Sequence, residues 1–235
     1  MELKQRLTVV IPAYNEEGYI ENILRDLSTQ IYATGILVYV ADGGSTDRTV
    51  EICKSAAEEY KEELRIRVIE GGSVTRGRNA GLDRTETEYV IFIDSDVRLT
   101  NPFQLFNVWY HLSPGKLIGA PLISTSGLPS SLVYSAFNIV NRLICRKRPF
   151  ALGSFFATHT ETLKDLGGWD ETIIHGEDWV LSGKYSTKKY TPCDYPIAVD
   201  DRRFKRTGYL GMLWLMLKSA IKGPDYMRKD HGYWN

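Results

Sequence analysis

Three times within its first hundred residues the chain runs a short apolar stretch directly into a polar cluster: TVVIPAYNEE, LVYVADGGSTD and YVIFIDSD. Apolar runs that end abruptly in acids are the pattern of strands in an open parallel sheet. Such strands are covered on both faces, and only their ends meet solvent. Ligands of these sheets collect outside the carboxyl ends of the strands. Asp42, Asp94 and Asp96 each close one run, so they are expected to converge on one crevice; a further acidic pair, Glu177-Asp178, arrives far downstream.

Helical spacing alternates with these runs. Strands are predicted over Leu7 to Ile11, Ile36 to Ala41, Leu64 to Glu70 and Tyr89 to Ile93. Helices are predicted over Gly18 to Thr29, Thr46 to Tyr60 with Ser45 or Thr46 as N-cap, and Thr75 to Arg84. Beyond Asp96 the alternation loosens into a helix after Pro102, a strand at Leu117 to Leu122, a Ser/Gly/Pro-rich loop and an apolar helix near Leu132 to Ile144. The expectation is an α/β protein: a mostly parallel open sheet flanked by helices, with a C-terminal helical extension. No repeat or low-complexity linker divides its 235 residues, so one domain is expected over 1–235.

Lys plus Arg and Asp plus Glu balance at 29 each, which excludes the positive field of a general nucleic-acid binder. Cys53, Cys145 and Cys193 are scattered and odd in number; they fit reduced packing thiols better than a disulfide framework or a zinc site. The N-terminus lacks a signal-peptide pattern, and the longest apolar run, Tyr209 to Leu217, is roughly half of the ~20 residues that span a bilayer. A cytoplasmic location is therefore expected. Leu132 to Arg148 and Gly208 to Gly223 are apolar and basic, so each is either a core helix, a homodimer face, or a peripheral contact with the cytoplasmic face of a membrane.

The chemistry follows from residue types. Asp42 heads DGGSTD, where Gly43 and Gly44 permit close approach of a ligand; the carboxylate either accepts the N–H of a base or merely makes an Asx turn. Asp94 and Asp96, two residues apart after a buried strand, repel one another and call for a hard cation, Mg²⁺ or Mn²⁺, whose open positions suit a diphosphate. Arg76 and Arg78 in GGSVTRGRNAG stand at a candidate helix start, where guanidinium and N–H groups either address phosphate or are simply solvated. Neither G-x-x-x-x-G-K-[ST] nor G-x-G-x-x-G is present, against an NTPase or a dinucleotide oxidoreductase. The histidines lack paired spacing; His231 in the tail is either a metal ligand or simply exposed.

VVIPAYNEE, DGGSTDRT, RNAG at Arg78 to Gly81, DSD, GGWDE at Gly167 to Glu171 and GED at Gly176 to Asp178 occur in an order that resembles the family 2 inverting glycosyltransferases of GT-A fold. The resemblance covers most of the chain. It implies a nucleotide-sugar-binding half over 1–100, an acceptor and catalytic half over 101–205, and a helical extension over 206–235. Pro12, Ala13 and Tyr14 would line the nucleoside pocket with Glu16 near ribose or base, and Asp42 would take the base N–H, favouring a UDP-sugar with a GDP-sugar as the alternative. Arg78 would contact phosphate, Asp94 and Ser95 the donor's nucleotide part, and Asp96 the metal. Asp178 would be the base of a transfer to a glycan, glycolipid or polyprenyl-phosphate acceptor, as inverting attack by a hydroxyl requires. Glu177 is a neighbouring candidate for the leaving-group or acceptor side.

Arg202-Arg203-Phe204 resembles the RRF segment of single-domain members, and Q-x-x-R-W of processive synthases is lacking, which implies transfer of one sugar. Arg202 and Arg203 are thus leaving-group candidates or a surface pair; Trp169 is an acceptor platform or a core plug. Two other classes stay open: a nucleotide-sugar-binding protein without turnover, and a haloacid-dehalogenase-like phosphohydrolase, which Arg98 disfavours by standing where that family has Thr or Val.

Overall fold

A computed structural model describes residues 3–128, 130–200, 202, 208, 211, 214, 218 and 222–229. The four strands read from the sequence are β1 (Leu7–Ala13), β2 (Ile36–Asp42), β3 (Leu64–Glu70) and β4 (Tyr89–Ile93). They lie side by side and parallel in the order β3-β2-β1-β4. The sheet continues through β8 (Phe155–His159), antiparallel to β4, then β6 (Leu117–Gly119) and β9 (Tyr190–Pro192).

Alternation along each strand divides the core between the two faces. Val9, Ile11, Val38 and Val40 pack beneath α1 (Ile20–Ser28), α2 (Thr49–Glu59) and α4 (Gln104–His111), through Ile20, Ile23, Leu24, Cys53, Leu105 and Val108. Val10, Tyr39, Phe92 and Phe156 pack on the other face against Leu82 of α3 (Val74–Asp83), Trp169, and Leu181 of α7 (Glu177–Ser182). α3 reaches β1 because Gly81 lies on the Val10 side chain, where any Cβ would clash. The cysteines are free and buried, as expected of packing thiols, and burial pushes Cys53 up to about 12.

Two expected boundaries move. α2 starts at Thr49, and neither Ser45 nor Thr46 caps it: the Ser45 hydroxyl accepts instead from Asn15 N–H at 2.9 Å, while Asp47 accepts from Thr49 N–H at 3.0 Å. The single strand expected at Leu117 to Leu122 is two, β6 and β7 (Leu122–Ser124), in different sheets. Pro121 lies between them and has no N–H with which to continue a ladder.

The second sheet, of three short strands, has the order β5-β10-β7, with β5 at Val97–Leu99 and β10 at Ile197–Val199. Val199 stands opposite Val97 in an antiparallel pair. The chain leaving β10 therefore returns past Asp96, and this pairing carries Arg202 to the acidic strand ends. Among the described residues no helix is long and apolar enough to cross a membrane.

Candidate active site

The ends of the first three strands form one wall. Gly43 N–H donates to the Ala13 carbonyl at 2.8 Å, and Gly71 N–H to the Asp42 carbonyl at 2.7 Å. A Cβ on Gly43 would lie 2.7 Å from the Gly72 carbonyl oxygen and 3.3 Å from Tyr14 Cβ, so glycine is what lets these loops close together. Pro12 and Ala13 are buried at the end of β1, whereas Tyr14 is 59% exposed. Asp42 makes the Asx turn, accepting from Gly44 N–H at 3.0 Å and Ser45 N–H at 3.1 Å through Oδ2.

The acids lie past β1, β4 and at the start of α7. Arg78 ties two of them together: its guanidinium donates to Asp94 Oδ1 and to Glu177 Oε1, both at 2.8 Å. Glu177 begins the helix that also carries Asp178, so DSD and GED, read as separate motifs, share one cation. The Arg78 side chain is 2% exposed and lies 4.5 Å from the centroid of the Trp169 ring. Burial would lower its pKa, but Asp94 and Glu177 outweigh that and raise it. Arg78 is therefore a strut between carboxylates rather than the phosphate contact expected of it.

Asp178 sits beside this strut. Its Oδ2 accepts from Gly153 N–H at 2.9 Å and its Oδ1 from Trp179 N–H at 2.7 Å. A Cβ on Gly153 would come 2.6 Å from the Arg78 guanidinium, so glycine is required where strand β8's approach passes between the two groups. Burial, then the Glu177 charge, raises the Asp178 carboxyl to about 7 against the pull of Gly153 N–H and Arg78. A carboxyl that exchanges its proton near neutrality has the affinity that general base work asks for.

Arg202 closes the opposite side. It donates to Glu16 Oε1 at 2.6 Å and Asp96 Oδ2 at 3.0 Å, with its guanidinium 4.4 Å from the Tyr19 ring centroid. Burial raises the Glu16 carboxyl, countered by Arg202 and reinforced by Asp96 and Asp94. Beside Asp96 a cavity of about 180 Å³ opens, lined in part by Tyr19, Asn22 and Asp200. Ser95 is buried between the two acids of DSD.

Among the described residues no group of three or more His, Cys, Asp or Glu side chains forms a metal cage. Mg²⁺ and Mn²⁺ do not need one where a diphosphate supplies the remaining oxygens. The donor chemistry fits such an ion: Asp96 borders the cavity, and the neighbouring Glu16 Oε2 is buried without a hydrogen-bond partner.

The structure narrows several of the open alternatives. Trp169 is 1% exposed and packs against Phe92 and Phe156 as a core plug, so its face is unavailable to an acceptor. Arg76 is exposed, and its acidic partner among the described residues is Glu70, at 3.9 Å. Asp94 is held through Oδ1 by a buried arginine that also binds Glu177. Arg203 and His231 lie outside the described residues. Sequence reasoning missed Gly153, Tyr19 and Asn79; Asn79 holds the Trp169 backbone N–H and carbonyl, and its place in RNAG was the one available signal.

The strand order, with acids gathered at the strand ends, defines an α/β protein of GT-A type. Residues 8–109 match the profile of glycosyl transferase family 2. Glycosyltransferase GlyA of Streptococcus pneumoniae is 38% identical over 96 residues, which are 41% of this chain and 14% of that protein. The mannosyltransferase PcManGT of Pyrobaculum calidifontis, solved with GDP-Man and Mn²⁺, superposes with a TM-score of 0.68 at 22% identity, over 90% of this chain and 64% of that one. TarS 1–349 of S. aureus, solved with UDP-GlcNAc, superposes with a TM-score of 0.64 at 24% identity, over 84% of this chain and 59% of that one. The chain thus spans less than two thirds of each of these relatives.

Proposed function

We propose that this protein transfers a single sugar, with inversion, from a nucleotide-diphosphate sugar to an acceptor hydroxyl or lipid phosphate. The observation that carries this reading is the Arg78 bridge, which joins Asp94 to Glu177 and so brings the DSD and GED motifs to one crevice. Residues 1–100 serve the donor and 101–205 the acceptor side. Pro12, Ala13, Tyr14, Glu16, Asp42, Asp94 and Ser95 face the nucleotide; a UDP-sugar is favoured, a GDP-sugar being the alternative that the GDP-Man complex of the Pyrobaculum enzyme keeps open.

Asp178 takes the acceptor proton as the acceptor oxygen attacks the anomeric carbon, and the bond from that carbon to the diphosphate breaks on the opposite side. The two backbone N–H groups on its carboxylate aim it and keep the charged form accessible despite burial. Negative charge then collects on the departing nucleotide diphosphate. Arg202, held at the crevice by Glu16 and Asp96, is the cation placed to meet it. A bound Mn²⁺ or Mg²⁺, held by Asp96, would supply further positive charge at the diphosphate. The acceptor is a glycan, a glycolipid or a polyprenyl phosphate, and a lipid-borne acceptor requires the enzyme to work at the cytoplasmic face of a membrane.

Asp178→Asn is expected to keep the thermal stabilisation given by UDP with Mn²⁺ while transfer falls roughly 10²- to 10⁴-fold. Asp96→Asn is expected to lose the metal-dependent part of that stabilisation. Unchanged transfer by Asp178→Asn would overturn the base assignment, and nucleotide-sugar binding without turnover by the wild-type chain would leave a binding protein.

A further inference from the structure

We infer that the outer face of α5 (Ser130–Ile144) is a docking surface for an anionic lipid bilayer. The helix is amphipathic in the wrong sense for a purely structural element. Its inward side carries Tyr134, Phe137 and Asn138, whereas Leu132, Ile139, Val140 and Leu143 are each more than half exposed. Those four, with Ala136 also exposed, recur at helical spacing along one stripe. A soluble helix normally turns such a stripe inward.

Charge decides between occupants. The whole chain is neutral, yet no Asp or Glu occurs between Asp96 and Glu161, while Arg98, Lys116, Arg142, Arg146, Lys147 and Arg148 do. Arg148 is bound to the Trp179 carbonyl and lies over the Trp179 ring. Arg142, Arg146 and Lys147 are exposed and flank the apolar stripe at its C-terminal end. None of the three has a carboxylate partner among the described residues. A second copy docked through the same face would meet these cations with the same segment, which contains no Asp or Glu to neutralise them. An anionic headgroup layer instead attracts them while the stripe enters the acyl boundary.

The helix is also coupled to the crevice. Phe137 on its inner side meets Phe150 at 6.3 Å between ring centroids, and Phe150 meets Trp179 at 5.1 Å. Trp179 is the residue after Asp178. Docking of α5 thus sets the acceptor side of the crevice close to the lipid surface. Between α5 and the edge strand β9, a groove of about 700 Å³ opens, bordered by Arg142, Arg146, Tyr190 and Pro192.

Flotation with vesicles tests this on the full chain, without any need for turnover. Binding is expected on phosphatidylglycerol-containing vesicles, with a large loss on pure phosphatidylcholine or in high salt. Arg142→Gln/Arg146→Gln/Lys147→Gln is expected to weaken binding roughly a hundredfold. Leu132→Ser/Ile139→Ser/Leu143→Ser is expected to abolish it, and neither triple variant should change stabilisation by UDP with Mn²⁺, since all six side chains are exposed. No flotation by the wild type, or flotation untouched by the apolar triple, overturns the inference. So does light scattering that shows a dimer which the apolar triple dissolves, because the stripe is then a self-interface. Flotation by a chain that no nucleotide sugar stabilises leaves the docking surface standing and removes the catalytic reading instead.

Discussion

Arg78 and Arg202 each bridge two carboxylates at the same crevice, one with a side chain 2% exposed and the other 39%. Arg78 is sealed by Trp169, by Gly153 and by the two acids it joins, with its Nε buried and unpartnered. Arg202 stands on Tyr19 at the edge of an open cavity. In a dry setting a guanidinium cannot leave without stranding charge, so Arg78 behaves as architecture. In a wet one the same group exchanges partners at small cost, so Arg202 can pass from Glu16 and Asp96 to an incoming anion. The crevice thus has one fixed wall and one adjustable wall.

The largest expected effect is on the fixed wall. Arg78→Met leaves Asp94 and Glu177 facing each other without their cation, and should cost about 3–5 kcal/mol of stability, read from chemical denaturation. Adding Asp94→Asn and Glu177→Gln to that variant should recover much of the loss, since what destabilises is the uncompensated charge. If Arg78→Met unfolds no more easily than wild type, the distinction between the two arginines fails.

The pH response comes next. Asp178 must be ionised to accept a proton, so transfer should fall about tenfold per pH unit as pH drops below about 7. Glu177 is the charge that helps raise Asp178, so Glu177→Gln should move this limb to lower pH. The same shift has a stability signature of opposite sense. With the folded value near 7 against an ordinary 3.8, the native chain holds a proton that the unfolded chain lacks between those limits. This group therefore stabilises below about 4 and loses that contribution as pH rises to about 7. Subtracting the pH dependence of Asp178→Asn from that of wild type isolates it; a flat difference would mean that Asp178 is not perturbed.

The two walls were unequally legible in the sequence. β1 to β4 announce themselves because strands covered on both faces must be continuously apolar, and their acids stand out as the first polar residues after them. Arg202 was named as a candidate, yet the pairing of β10 with β5 that delivers it rests on three-residue strands too short to show a period. The sequence puts Arg78 in the loop beside the acids but does not show that Asp94 and Glu177 are its partners. Its burial is created by Gly153, Trp169 and Glu177, all more than seventy residues away, and local pattern carries no trace of them. Pro121 signals the split of Leu117 to Leu122, but the apolar run on both sides of it reads as one strand.

The smallest expected effect belongs to Arg202. Because it is more than a third exposed, Arg202→Gln should change stability by less than about 1 kcal/mol. Its consequence lies in ligand competition. Arg202 neutralises Asp96 and Glu16 when no other cation does, and it holds its own proton more firmly for that contact: burial opposes the charge, but the hydrogen bond to Glu16 and the charges of Asp96 and Glu16 prevail. A divalent cation bound through Asp96 competes with that guanidinium. Removing it should lower the Mn²⁺ concentration needed to raise the melting temperature in the absence of nucleotide, while the further rise contributed by UDP shrinks because one phosphate partner is gone. Arg202→Lys restores the charge but not the planar guanidinium that lies over Tyr19 while its Nη2 serves both Glu16 and Asp96, so it should fall between the two. A Mn²⁺ midpoint identical in all three proteins would show that Arg202 does not compete for the acidic pair, and would assign it to the fixed wall with Arg78.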